Sequence, residues 1–408
     1  MSSARSANAL PEPSPPTPWG LVILLGSLTA MGPLAIDMYL SSLPTIGRSL
    51  QASPAAIQAT MAAFLAGMAI GQVIYGPLTD RIGRRPPILF GAGLFMAASV
   101  GCALATSVDQ LLVGRFIQAL GACSGAVVSR ATIRDRFDHT ETARVLSLMM
   151  LIMGLAPILA PLLGTLLLGL GGWRSNFWFM AVYGGAIAVA AFFRLKESRT
   201  EATAIQASQE NPLQAYWALM CNRRLMGFVL GGALNGATLF TYISTSPGLV
   251  MGTYGISTAA FPVIFGLNAL GLVASGQINR LVLRRLTPEQ VLSRANVAAL
   301  VVGVLLALAA ATGFGERWSI LLLIFLLLSS YGFMQGNTMA GALNCDPIRA
   351  GSISALSGAM SFSLGAVASS LTGLFHDGTP RPMAFGMLIC ILGASVALRG
   401  LALKRDDK

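Results

Sequence analysis

Twelve long apolar segments recur along this 408-residue chain and constrain its fold more than any other feature of the sequence. Each is close to the roughly 20 residues that a helix needs to cross the hydrocarbon core of a bilayer. With 54% hydrophobic residues, 11% charged residues and a mean hydropathy of +0.70, the chain has too few polar residues to cover a soluble domain. The sequence therefore predicts an all-α polytopic membrane protein. The predicted spans are residues 19–42, 55–78, 87–107, 110–131, 143–169, 174–194, 224–248, 258–281, 290–312, 318–341, 352–375 and 382–402.

The basic residues are distributed unevenly between the two sides of these spans. Of the 27 Lys and Arg residues, 22 lie on the side of the amino terminus, Arg48, Arg174, Arg317 and Arg381 lie on the other side, and Arg115 lies within a span. Because cytoplasmic loops of membrane proteins are enriched in Lys and Arg, this pattern predicts that both termini are cytoplasmic. The net charge of +11 then reflects topology and contact with anionic lipid, and it does not indicate a nucleic-acid partner.

The longest polar loop divides the twelve spans into two sets of six, and no loop is long enough to hold a catalytic domain. The predicted organisation is a cytoplasmic tail at residues 1–18, a six-helix half at 19–194, a cytoplasmic central loop at 195–223, a second six-helix half at 224–402 and a cytoplasmic tail at 403–408.

A faint internal repeat relates the two halves. Such repeats are typical of secondary transporters, whose substrate sites lie near the middle of the membrane between the halves. Chance matches in a chain with 45 glycines are the alternative. Asp80 is matched by Arg280, so the second copy lacks the carboxylate of the first. An offset of 200 residues aligns Gly71 with Gly271, Gly76 with Gly276, and the arginine pair at 84–85 with the pair at 284–285.

Several kinds of site are disfavoured by composition. The two histidines, His139 and His376, lie in different loops, so we expect no metal site, and the five cysteines are scattered singly. The three lysines, Lys196, Lys404 and Lys408, do not stand in the Gly-Lys-Ser/Thr context of a nucleotide-binding loop. Transport by this chain alone would therefore be downhill or driven by an ion gradient, with no cofactor.

Asp37 is the only acidic residue well inside an apolar segment. A charged side chain at a helix centre costs about 2.5 to 3.5 kcal/mol on insertion scales, so it is expected to face a cavity or a partner. Asp37 lies seven residues, or about 10 Å, from Pro44 at the end of its span, and Arg115 lies six residues, or about 9 Å, from Asp109. The two charges are therefore predicted at similar depth. A carboxylate that reaches the membrane interface is the alternative for Asp37.

The loop from Gly76 to Arg85 reads Gly-Pro-Leu-Thr-Asp-Arg-Ile-Gly-Arg-Arg and resembles the signature loop of the major facilitator superfamily. Glycine permits close helix approach and tight turns, and Asp80 is placed to pair with an arginine or to cap a helix. A basic loop that only sets topology is the alternative. The resemblance implies a conformational-switch role for Gly76, Asp80, Arg81, Gly83, Arg84 and Arg85.

Two further stretches resemble superfamily motifs. The residues from Arg115 to Gly121 resemble a fourth-helix motif associated with proton coupling, with Ala119 where many relatives have glycine. The fifth span resembles the antiporter motif of drug:proton exporters, although Ala160 and Thr165 replace two of its usual glycines. Prolines bend helices by removing backbone hydrogen bonds, so an ordinary kinked helix is the alternative. The matching positions are Gly154, Pro157, Pro161 and Gly164.

The stretch from Pro33 to Pro44 resembles the first helix of the bicyclomycin/chloramphenicol-resistance (Bcr/CflA) branch, with Ser41 where relatives often have proline. The Trp173-Arg174 pair and residues 350–356 extend this resemblance. It implies a drug:proton antiporter of the bacterial inner membrane. It also places the first and fourth helices on one cavity, where Asp37 and Arg115 could meet directly or through water and couple export to protons. A static ion pair is the alternative role.

The substrate surface is predicted from adaptable methionine and aromatic side chains and from a few amides, which suit varied apolar ligands. Such residues also serve as lipid-facing or packing residues, and Tyr39 is the strongest candidate because it is near Asp37. The predicted substrate-binding residues are Met38, Tyr39, Phe64, Met68, Asn235, Tyr242, Asn268, Tyr331 and Gln335.

The sequence thus predicts a monomeric transporter that exports small amphipathic compounds in exchange for protons. The rival within transport is an exporter of a physiological metabolite such as an amino acid, sugar or nucleoside. The rival of another class is a membrane-embedded enzyme or sensor, but the sequence contains no His, Cys or paired-carboxylate cluster that would support catalysis.

Overall fold

A computed structural model of the chain describes residues 19–137, 139–201, 204–205 and 211–403. The predicted tail at 1–18, residues 404–408 and parts of the central loop lie outside the described residues. The described residues include twelve helices that are long and apolar enough to cross a membrane, as predicted. They are α1 (Trp19–Leu40), α2 (Pro54–Ile82), α3 (Arg85–Leu104), α4 (Val108–Arg136), α5 (His139–Gly171), α6 (Arg174–Arg194), α7 (Arg223–Pro247), α8 (Phe261–Val282), α9 (Pro288–Thr312), α10 (Glu316–Cys345), α11 (Ala350–Leu374) and α12 (Arg381–Ala397).

Several helices begin slightly before the predicted apolar spans because capping residues set their starts. The side chain of Ser53 accepts a hydrogen bond from the Ala56 amide at the start of α2, and Ser107 caps α4 in the same way. Thr287 and Gln290 form a reciprocal capping box at the start of α9. The polar last turns of α2 and α4 then project past the apolar part of each helix.

The outer surface of the bundle is apolar. Large hydrophobic side chains are exposed on helices from both ends of the chain, as a lipid-facing surface requires. Examples are Phe90, Leu104, Val182, Phe193, Leu308 and Ile389. The protein is therefore a multi-pass membrane protein.

The twelve helices pack as two sets. Helices α1–α6 contact mainly one another, and helices α7–α12 contact mainly one another. The two sets are joined chiefly by α2 against α11 and by α5 against α8, with a smaller contact between α1 and α7. The region between the sets is therefore the place to look for a functional site.

Two short helices mark the two ends of the bundle. The helix Leu43–Ser49 follows α1, and the linker helix Pro212–Cys221 precedes α7 and contacts α7 and α11. We call the end that carries the loop between α2 and α3 the basic face, and the end that carries Leu43–Ser49 the opposite face. The linker helix lies at the basic face.

Candidate functional site

Asp37 lies at the junction of the two helix sets. It is 3% exposed and follows Pro33 by one turn of α1. Its carboxyl group is near enough to the Tyr242 hydroxyl of α7 to interact with it electrostatically. Tyr242 stacks on Phe265 at 5.6 Å, and its hydroxyl accepts a hydrogen bond from the Asn268 side chain at 2.8 Å. The acid therefore interacts electrostatically with a polar group of the other helix set.

Arg115 is fully buried and binds a different side of α1. Its guanidinium lies between the rings of Tyr39 and Phe64, with its central carbon 4.4 Å and 4.2 Å from the ring centroids. Nη1 donates to the Ala35 carbonyl at 2.9 Å and to the Gln118 side chain at 2.7 Å. These contacts fix Arg115 to the backbone of α1.

Asp37 and Arg115, which the sequence suggested could meet directly or through water, do not meet directly in the structure. No ion pair joins them among the described residues. Tyr39 and Ala35, which Arg115 contacts, are each two residues from Asp37, so they lie about 200° around the helix from it. The sequence placed the two charges at similar depth, but it did not specify which side of α1 each one faces.

The residues around Arg115 form a packed cluster inside the first helix set. The hydroxyl groups of Tyr39 and Thr60 are 2.6 Å apart, and the Tyr39 ring lies 5.6 Å from that of Phe177. Met38, Tyr39 and Phe64 are all completely buried. This placement favours a packing role for these three predicted substrate-binding residues.

The remaining predicted substrate-binding residues divide into two groups. Tyr242 and Asn268 lie opposite Asp37, as described above. Asn235 is 3% exposed and Gln335 is half-buried, and their Nδ2 and Oε1 atoms, respectively, have no hydrogen-bond partner among the described residues. Buried polar atoms of this kind are candidates for binding a ligand. Met68 is almost fully buried and Tyr331 is half-buried.

The antiporter-like stretch of α5 contacts both α1 and α8. A Cβ on Gly154 would lie 3.2 Å from Val273 of α8, and one on Gly164 would overlap the Met38 carbonyl oxygen. Pro157 and Pro161 both lie inside α5. The stretch therefore packs against the segment of α1 that carries Asp37.

Two departures from the resembled family pattern lie in contact with each other. Ser41 stands where relatives often have proline, and Thr165 stands where they have glycine. The Thr165 hydroxyl donates to the Ser41 hydroxyl at 2.8 Å, and the Ser41 hydroxyl donates to the Pro161 carbonyl at 3.3 Å. The two polar substitutions thus join α1 to α5 by hydrogen bonds.

Arg84 organises the basic face. Its side chain is 2% exposed, and Nε donates to Asp135 of α4 at 2.7 Å. Nη1 donates to Asp80 at 2.5 Å and to Thr79 at 2.9 Å. These partners offset the cost of burying the Arg84 guanidinium. The predicted pairing partner Asp80 is present, whereas Asp135 was not anticipated from the sequence.

Glu197, which follows α6, holds the loop between α2 and α3. Its carboxylate accepts hydrogen bonds from the backbone amides of Arg84 at 2.8 Å and Arg85 at 3.1 Å, and from those of Ser198 and Arg199. Partial burial acts to raise the pKa of Glu197, but these four donors together hold that pKa below its usual value. The only indication of this role in the sequence was the position of Glu197, directly after the sixth span.

Glycine is required at Gly83, whereas a Cβ at Gly76 would make only ordinary contacts. Gly83 has a φ of +99°, and a Cβ there would lie 2.5 Å from the Glu197 carboxylate. A Cβ on Gly76 would lie 3.8 Å from Ala355 of α11 and from the Tyr216 hydroxyl. The carbonyl of Arg81 accepts a hydrogen bond from the Arg199 side chain. The loop therefore touches α4, α11, the linker helix and the segment after α6.

We predict that Glu197→Gln lowers the free energy of unfolding by about 1 kcal/mol, because a neutral acceptor binds amides less strongly than a carboxylate does. The effect is no larger because solvent screens this exposed group. Since the folded pKa of Glu197 is lowered, its contribution is present at neutral pH and is lost as the pH falls through that pKa. Thermal unfolding of the purified variant as a function of pH would measure this. The control is Glu201→Gln, an exposed glutamate four residues later, which should leave the melting temperature unchanged.

A cavity of about 560 Å³ opens at the basic face between the two helix sets. Its walls come from α2, α4, α11 and the linker helix. At the opposite face the sets are in contact: a Cβ on Gly373 of α11 would lie 2.5 Å from Gln58 of α2, and the helix Leu43–Ser49 packs on the turn Gly248–Thr253. The bundle is therefore open at the basic face and joined at the opposite face.

Comparison with known proteins assigns the family. The chain matches the family model described as Major Facilitator Superfamily over residues 25–370. It is 33% identical to an uncharacterized MFS-type transporter, YdgK, of Bacillus subtilis, over 94% of this chain and 96% of that one. It is 34% identical to the multidrug resistance protein MdtL of Escherichia coli, over 80% of this chain and 81% of that one. A bicyclomycin resistance protein homolog of Haemophilus influenzae is 27% identical over 91% of this chain and 93% of that one.

The fold agrees with solved structures. A crystal structure of a D-xylose–proton symporter superposes with a TM-score of 0.75 at 14% identity, covering 94% of this chain and 98% of that one. At this level of identity the likeness concerns the fold alone. Together with the family match over most of the sequence, it establishes that the chain belongs to the major facilitator superfamily.

Proposed function

We propose that this protein exports small amphipathic drugs across the bacterial inner membrane in exchange for protons, by alternating access. The observation that carries the coupling part of the proposal is Asp37, a buried acid at the junction of the helix sets with no basic partner among the described residues. The relatives named for multidrug and bicyclomycin resistance support the drug class over a physiological metabolite.

The proposed cycle follows from the position of Asp37. With the basic face in the cytoplasm, the cavity admits substrate from the cytoplasm. When the carrier opens to the other side, Asp37 takes a proton from the periplasm, and after the carrier reverses, the acid releases the proton inward. A buried acid that is not locked in an ion pair can exchange its proton as its access to water changes. Substrate and proton then compete for the same junction.

Arg115 has a positioning role in this mechanism. Its hydrogen bond to the Ala35 carbonyl and its stacking on Tyr39 fix the segment of α1 that carries Asp37. Tyr242 and Asn268 supply the polar surface that faces the acid from the other helix set. Movement between the sets changes the surroundings of Asp37 while α1 keeps its shape.

The function is tested by expressing the chain in a bacterium that lacks its major efflux pumps and measuring minimal inhibitory concentrations over a compound panel. We expect higher values than with an empty vector for several amphipathic compounds. We expect a protonophore to abolish dye efflux from the same cells. No shift for any compound would contradict drug export.

We predict that Tyr242→Phe slows proton-coupled exchange about tenfold, because the change removes the hydroxyl that interacts electrostatically with Asp37. The phenyl ring preserves stacking on Phe265, so the change is confined to the hydroxyl that faces Asp37. The rate of exchange in vesicles should be recorded as a function of pH, since a displaced profile separates coupling from packing. Tyr75→Phe, at a buried tyrosine of α2, is the control and should leave the profile in place.

A further inference from the structure

The cavity at the basic face has an unbalanced charge. Five arginines line it, at positions 81, 84, 130, 134 and 349, together with two carboxylates, Asp80 and Asp135. Both carboxylates bind Arg84. Arg349 pairs with Asp346, outside the lining. Besides Arg81, whose neighbourhood includes the Arg199 side chain on its carbonyl, the remaining positive charge of the wall comes from Arg130 and Arg134 of α4.

Arg130 is the deeper of these two arginines. It lies six residues, or about 9 Å, from the end of α4 at Arg136. Its Nε donates to the Ala126 carbonyl of its own helix at 3.0 Å, and its charged neighbour is Arg134, a like charge. No carboxylate lies within ion-pair distance of Arg130 among the described residues. The Arg130 side chain is exposed and lines the cavity, so its guanidinium is open to a ligand that supplies the missing counter-charge.

The rest of the wall is amphipathic. Gln72 and Ser354 contribute polar groups from α2 and α11, while Val127, Leu146 and Ala355 contribute apolar surface. The volume of about 560 Å³ lies within the range of drug-sized sites, roughly 300 to 1,000 Å³. The wall fits a ligand with an apolar body and one strongly accepting or anionic group.

We propose that this cavity is a binding site for amphipathic compounds that carry a carboxylate, sulfonate or phosphate, that Arg130 and Arg134 receive this anion, and that cationic compounds are disfavoured. The proposal rests on the proposed function, because it names the class of compound that an exporter would admit here. Arginine is suited to this task because its planar donors match the geometry of oxyanions.

Two dyes with a common xanthene core test the charge preference: anionic fluorescein and cationic rhodamine 123. Binding to the purified full chain in neutral detergent is measured by fluorescence anisotropy. We expect fluorescein to bind more tightly than rhodamine 123, and Arg130→Gln to weaken fluorescein binding about tenfold without weakening rhodamine 123 binding. Arg130→Lys should retain the preference. Arg294→Gln removes an exposed arginine of the same face outside the cavity and should change neither affinity.

Three outcomes would overturn the inference: equal binding of the two dyes, no binding of either, or an unchanged preference in Arg130→Gln. Displacement of fluorescein by phosphatidylglycerol in nanodiscs, but not by zwitterionic lipid, would assign the site to a lipid headgroup and also overturn it. The susceptibility panel is independent of these results. A positive panel without a charge preference refutes only this inference, whereas a silent panel with a clear preference refutes only drug export.

Discussion

Asp37→Asn is expected to lower proton-coupled export by about two orders of magnitude or more, the scale on which enzymes depend on a single proton-transfer group. Asparagine keeps the shape of aspartate but cannot gain and lose a proton at neutral pH. The Asp37 side chain is 3% exposed and lies at the junction of the helix sets. No other acid among the described residues is buried there to replace it. The remaining polar surface of Tyr242 and Asn268 should still accept substrate. We therefore expect binding to survive while coupling is lost.

The measurement uses everted membrane vesicles with an imposed proton gradient. Addition of substrate should release protons from wild-type vesicles and should have no effect on Asp37→Asn vesicles, while equilibrium binding of the same compound persists in the purified variant. Asp109→Asn, at an exposed acid in the first turn of α4, is the matched control and should retain exchange. Undiminished exchange in Asp37→Asn would remove this residue from the mechanism.

Gly164→Val is expected to destabilise the fold by about 3 kcal/mol, which is at the upper end of the range for overpacked cores. We expect it to abolish export. The Cβ would overlap the carbonyl oxygen of Met38, a backbone atom that cannot rotate away. Helices α1 and α5 would have to separate beside Asp37. In membranes, helix association depends on such close backbone approach because lipid provides no hydrophobic driving force between helices.

The same helix supplies the control. A Cβ on Gly169 meets no atom within 4 Å, so Gly169→Val should be tolerated. Thermal unfolding of both purified variants, together with proton-coupled exchange in vesicles, would distinguish Gly164→Val from Gly169→Val. Equal stability of the two variants would show that the approach of α5 to α1 at Gly164 is not required.

The comparison between sequence and structure is clearest in the first helix. The sequence was sufficient to predict the apolar span that begins at Trp19, because crossing a membrane requires length and hydropathy. A single acidic residue within such a span is easily recognised. The sequence did not predict the partner of that acid correctly. The sequence indicated Arg115, whereas in the structure Asp37 interacts electrostatically with the Tyr242 hydroxyl, and Arg115 lies against the opposite side of α1.

The basic face shows the same division. The spacing of Gly76, Asp80 and Gly83 was sufficient to predict the superfamily, which the family match confirms. The acids that bind this loop, Asp135 and Glu197, lie 51 and 113 residues from Arg84, so no local pattern identified them. The switch role of the loop stays a prediction.

The sequence by itself determined the number of membrane spans, their approximate depth and the superfamily, because hydropathy, helix rise and local motifs depend on residues that are near one another in the chain. The tertiary structure alone decided which side of α1 each charge faces, which atoms Arg84 and Arg115 contact, and where a cavity opens between the helix sets. Those features depend on how helices are rotated and packed against one another. In a nearly uniform apolar chain, hydropathy does not indicate how each helix is rotated about its own axis. That rotation is set by packing between small residues and by a few polar contacts.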